Sequence, residues 1–143
     1  MTTKIYDADQ VAIIIAGRPL LGGFADGEFV RIERESPAFD DVVGTDGEVS
    51  RSKTNDNRAT VTVLLMQTSD SNAILSALHN QDKIATGGSG VGPLVIKDLQ
   101  GTTLYASGEC WVRSTPNASF DRTATSREWE IRVANLQDFT GGN

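Results

Sequence analysis

The chain has 143 residues, 38% hydrophobic and 22% charged, with a formal net charge of −6; this suits one globular domain with its own core and excludes a basic, phosphate-neutralising nucleic-acid binder. A single cysteine, Cys110, and a single histidine, His79, exclude an internal disulfide and the usual nitrogen and sulfur metal sites, and no apolar run reaches the ~18 residues of a membrane span. The polar start MTTKIYDADQ lacks the basic and apolar parts of a signal peptide, so the sequence predicts a protein made and kept in a cytoplasm, with no membrane partner.

Val11 to Ala16 (VAIIIA) is apolar and β-branched throughout, as in a strand covered on both faces. Gly17-Arg18 suits a type II′ turn, which predicts a hairpin partner over Pro19 to Phe24. Asp26-Gly27 is a second turn signal. Glu28 to Glu35 then alternates, with Val30 and Ile32 opposite Arg31 and Glu33, and predicts a half-buried strand.

Regular patterns fade from Ser36 to Asn57. A connection this long in a compact domain is functional or disordered, and Asp46-Gly47 offers it a hairpin turn. Phe39, Val42, Val43 and Val49 favour a partner surface over a free linker. The acids concentrate here too: between Asp26 and Asp56 lie nine acids and four bases, so this stretch carries −5 of the −6.

Arg58 to Gln67 (RATVTVLLMQ) is the clearest strand, with Val61, Val63 and Leu65 on one face. Ser69 is a good N-cap for a helix to about Gln81, its apolar stripe formed by Ile74, Leu75 and Leu78. Gly87 to Pro93 (GGSGVGP) is a loop and Leu94 to Lys97 a short buried strand; Asp98 to Gly101 closes a hairpin into Thr103 to Ser114. Beyond a polar stretch, Glu128 to Ala134 sets Trp129, Ile131 and Val133 opposite Glu130 and Arg132. With no βαβ alternation, about seven or eight strands predict a mainly β fold, a β-sandwich or partly closed barrel. One flanking helix (about 69–81) and a long loop or extended hairpin (36–57) complete it.

No catalytic set, metal site or cofactor motif emerges. Cys110 and His79 form the one possible thiol pair, and nothing identifies an orienting third group. The acids from Asp40 to Glu48 lack calcium-loop spacing. Gly88 and Gly90 begin a G-x-G-x-x-G pattern that fails at Pro93, and no pair stands out among the nineteen acids as a hydrolase dyad.

Four stretches in order carry a resemblance. Gly44 to Leu78 holds a G-x-D-G-E turn (Gly44 to Glu48), Arg51-Ser52, the polar Asn55 to Arg58 entering a β run, and a Gln67-Thr68-Ser69 to Asn72 helix start. The others are FADGEFVRIERE (Phe24 to Glu35), GPLVIKDLQGTTLYAS (Gly92 to Ser107) and SREWEIRVANL (Ser126 to Leu136). In these the chain resembles the tail tube proteins of contractile-tailed phages, a fold shared with the tube proteins of type VI secretion systems. The resemblance implies a non-enzymatic virion protein, assembled in the host cytoplasm, whose hexameric rings stack into a tube inside a contractile sheath. It implies tail sheath, tape measure and baseplate or terminator proteins as partners, and DNA that passes without specific binding.

On that footing Phe39, Asp41, Val42, Val43, Asp46, Glu48, Val49 and Arg51 are candidate inter-ring assembly residues. Glu28, Arg31, Glu33, Glu35, Glu128, Glu130 and Arg132 are candidate lumen or interface charges. The rival expectation is a β-sandwich binding module of a baseplate or cell surface, recognising carbohydrate or protein, which clustered exposed aromatics would mark.

Overall fold

The computed structural model describes residues 3–143. Its strands are β1 Val11–Ile15, β2 Arg18–Pro19, β3 Val30–Arg34, β4 Phe39–Val43, β5 Val49–Lys53, β6 Ala59–Met66, β7 Gly92–Asp98, β8 Leu104–Ser114, β9 Ser126–Val133 and β10 Gln137–Phe139, with one α-helix, α1, Ser71–Ile84, and a 3-10 turn at Ala8–Gln10. Eight strands form one antiparallel sheet in the order β2-β1-β7-β8-β9-β6-β3, with β10 beside β8; β4 and β5 form a separate ribbon. The expected mainly β fold with a flanking helix and an extended hairpin is the one observed.

The sheet is open, ending at β2 and β3, yet it encloses a core because it coils. From β1 to β6 is four strand spacings, about 19 Å if flat. Leu20 is hydrogen-bonded to Ile13 on β1, while Phe24 already bridges to Leu65 on β6. Four residue steps span at most ~14 Å, so the sheet must fold over its apolar face. Ile13 and Ile15 thereby share one buried cluster with Val61, Val63 and Leu65, with Leu94 and Ile96, and with Trp129, Ile131 and Val133. These residues recur at every second position and lie in register, Val61 opposite Ile131 and Val63 opposite Trp129. Leu75 and Leu78 of α1 are buried against this face and Ile74 is half-buried. Trp129 Nε1 donates to Asn72 Oδ1 at 2.8 Å, tying helix to strand.

Several local expectations are corrected. The first hairpin turns at Ala16-Gly17, both with positive φ (52° and 81°), and not at Gly17-Arg18. That is the type I′ pattern, and tertiary contacts hold it: Gly17 N–H donates to Pro93 C=O, and a Cβ at Gly92 would lie 2.8 Å from Ala16 Cα. The partner strand stops at Pro19, and Gly22 and Gly23, at positive φ, carry the chain across to β6. The helix starts and ends two to three residues later than its caps suggest. Asp70 is the N-cap without a side-chain bond, while Ser69 Oγ accepts from Ser71 N–H and donates to Gly22 C=O.

Candidate functional site

Two surfaces gather the residues that the sequence marks for function. The first is the β4–β5 ribbon. Phe39 pairs with Lys53, Asp41 with Arg51 and Val43 with Val49, so alternation places all six on one face, with Val42 on the other. The turn is closed by Gly47 N–H donating to Gly44 C=O, with Gly47 at φ +89°, as Asp46-Gly47 predicts. Asp46 Oδ1 accepts from Glu48 N–H, and the Arg51 guanidinium lies 4.4 Å from the centre of the Phe39 ring. Every ribbon residue is exposed: Val42, Val43 and Val49 retain 68%, 66% and 62% of their surface and Phe39 49%. A two-stranded ribbon buries too little to stand alone.

Its base is nonetheless fixed. Glu35 N–H donates to Arg58 C=O and Thr54 N–H to Ala38 C=O, continuing the β3–β6 ladder into the ribbon. Asp56 is the hub: it accepts from Arg58 Nε (2.9 Å) and Nη2 (3.0 Å), from Arg58 N–H, and from Ser36 Oγ across the base. The Arg58 side-chain bonds, then its backbone bond, hold the Asp56 carboxyl far below the usual carboxylate range. The D-x-R spacing, in the connection just before β6, is the signal by which this clamp was legible and was missed.

The second surface is the outward face of β3, β6 and β9. Register puts Arg31, Thr62 and Glu130 in one row and Glu33, Thr60 and Arg132 in the next. Arg31 bridges three carboxylates, Glu28 at 3.0 Å, Glu33 at 2.9 Å and Glu128 at 3.7 Å. Arg132 Nη1 lies 2.7 Å from Glu35, an ion pair by distance without hydrogen-bond alignment. The Thr60 hydroxyl, donating to Glu35 at 2.7 Å, lowers that carboxyl below its ordinary range, helped by the Arg132 charge and opposed by burial. All seven predicted charges thus meet on one face; Glu33, Glu35, Glu128, Glu130 and Arg132 line a groove of about 890 Å³ there.

An eighth charge was missed. Arg113 Nη1 donates to Glu130 at 2.8 Å; with Cys110 and Val112 buried, alternation along β8 turns Trp111 and Arg113 outward, so the two-residue period was the signal that could have found it. Five carboxylates facing three guanidinium groups leave the face weakly negative. The exposed pairs among them, those of Arg31 and Arg113, each contribute only ~0–1 kcal/mol to stability, so their effect is on the field at the surface. The Cys110 thiol is buried, which pushes its pKa up, and His79 Nδ1 sits 3.3 Å from the Val112 carbonyl.

Comparison with known proteins matches the family model described as Bacteriophage PhiTE tail tube protein over residues 21–141. The chain is 34% identical to "Structural protein ORF10" of Pseudomonas phage KPP10 over 146 residues, covering 99% of this chain and 84% of that protein. Among solved structures, the fold is similar to the sheath/tube terminator of the extracellular contractile injection system PVC (TM-score 0.63, 9% identity, 98% of this chain and 100% of that one). It is also similar to the tube terminating cap of the anti-feeding prophage AFP (TM-score 0.57, 6% identity, 98% and 94%). The chain belongs to the PhiTE-type phage tail tube protein family.

Proposed function

We propose that this chain, a member of a phage tail tube family, is a non-enzymatic subunit of the tube of a contractile phage or phage-like tail. Its copies form hexameric rings that stack within a sheath, and DNA passes through the lumen at ejection. The observation that carries this reading is the family match over residues 21–141, which includes the projecting ribbon. The open sheet ends support it as well: unpaired strand edges are hazards in a monomer, and ring closure between copies removes them. The sheath, tape measure and baseplate or terminator proteins are its proposed partners, and the virion its location.

In this reading the face of β3, β6 and β9 lines the lumen. Its carboxylates repel phosphates, while the intervening arginines hold the excess at about two negative charges per copy. A surface of this kind lets a polyanion slide without gripping it. The test is electron microscopy of purified protein and of particles carrying Glu33→Lys and Glu130→Lys. Intact tubes with slowed DNA release are expected; loss of the rings themselves would move these charges to a subunit interface, and an absence of rings or tubes from wild-type particles would overturn the tube assignment.

A binding module would display clustered aromatics. The exposed ones, Tyr6, Phe39, Phe120 and Phe139, lie on four separate segments.

A further inference from the structure

The exposed apolar ribbon needs a cover, and the far end of the same strands offers one. The ribbon enters β6 at Ala59, while β6 ends at Met66, paired with Ser126 at the start of β9. Eight strand residues place these ends about 24 Å apart. Beyond Ser126 lies the loop 115–125, where Phe120 is 82% exposed. Arg127 props this loop: Nη1 donates to Thr125 Oγ1, Nη2 to Ser119 C=O, and its guanidinium lies 5.5 Å from the centre of the Phe120 ring. Beside it opens a cavity of about 260 Å³, lined by Pro116, Ala118, Asn72, Arg127 and Trp129 among others.

The ribbon and the 115–125 loop with its prop Arg127 are opposite in charge. The ribbon carries Asp40, Asp41, Asp46 and Glu48 against Arg51 and Lys53, whereas the loop end carries Arg122 and Arg127 against Asp121. Each end also shows apolar side chains to solvent, Val42, Val43 and Val49 on one and Phe120 on the other. Two complementary patches at opposite ends of one set of strands cannot satisfy each other within a copy. They fit a copy displaced along the strand direction, and such a head-to-tail contact repeats without closing.

We infer that the tip of the β4–β5 ribbon of one copy seats on the 115–125 loop and the Trp129 cavity of the next. This rests on the tube reading and gives ring stacking a receiving surface. Apolar contact holds the joint, and the acidic tip against Arg122 sets its polarity.

The test uses full-length protein with new thiols, the native Cys110 being buried. A mixture of the single variants Val43→Cys and Ala118→Cys, oxidised at assembling concentration, should give a two-chain adduct several-fold above the control pair Val43→Cys and Thr86→Cys. The double variant should give a ladder of multimers. Arg122→Glu should lower the yield several-fold, and adding Glu48→Arg should restore it. An adduct no greater than the control, or one indifferent to Arg122→Glu, overturns the docking surface. If adducts fail while removal of residues 41–53 still abolishes tubes, the ribbon stacks elsewhere and the tube reading stands. If tubes survive that removal, stacking through the ribbon itself is refuted.

Discussion

Trp129→Ala probes whether the coiled sheet and its helix form one cooperative core. Trp129 retains 2% of its surface, lies opposite Val63 in the centre of β9 and donates to Asn72 at the start of α1. Truncating a buried tryptophan costs ~3–5 kcal/mol through lost transfer energy and the cavity left behind. The lost hydrogen bond is part of that figure, at about 1 kcal/mol. For a chain of this size 1 kcal/mol moves the melting temperature by about 3–5 °C, so a fall of ~10–20 °C is expected by calorimetry or thermal circular dichroism. Trp129→Phe keeps most of the volume, and its loss should shrink to ~1–2 kcal/mol. In a double-mutant cycle with Asn72→Ala, coupling of at least ~0.5 kcal/mol is expected between the two side chains. A fall of only a few degrees in Trp129→Ala, or no coupling to Asn72, would refute the placement of β9 and α1 on a common core.

Removing residues 41–53 should leave the melting temperature within a few degrees of wild type, because every ribbon residue is exposed, and should abolish polymerisation, read by sedimentation and microscopy. Gly92→Ala should destabilise the fold measurably in urea, since its Cβ meets Ala16 backbone atoms at 2.8–2.9 Å; an unchanged midpoint would deny the close approach of β7 to the first turn. The folded pKa of Asp56 is depressed, so its contribution is fully present above the unfolded carboxylate value near 4 and is lost as pH falls through the folded value. Asp56→Asn should therefore flatten the acid limb of the stability profile and raise hydrogen exchange at the Thr54 and Glu35 amides at neutral pH. An unaltered acid limb would remove Asp56 from the clamp.

The sequence by itself determined which residues are buried along β6 and β9, whereas the uniformly apolar β1, expected to be covered on both faces, buries only Ile13 and Ile15 fully. Val61, Val63 and Leu65, and likewise Trp129, Ile131 and Val133, recur with the two-residue period of a strand, and that period follows from backbone geometry alone. Asp46-Gly47 fixed the ribbon turn for a similarly local reason, the ease with which glycine takes positive φ. Tertiary structure decided what depends on a distant partner. Gln137 to Phe139 has no alternation of its own and is a strand because Leu104 to Ala106 offer it an edge. Ala16-Gly17 is the turn because Pro93 and Gly92 pack against it. Arg113 meets Glu130 because β8 lies beside β9 in the sheet. That all seven predicted charges share one surface likewise depended on strand order, since β3 and β9 meet only across β6. Side-chain period is written in neighbouring residues, whereas strand partners are chosen by hydrogen bonds between segments far apart in the chain, and no local pattern encodes that choice.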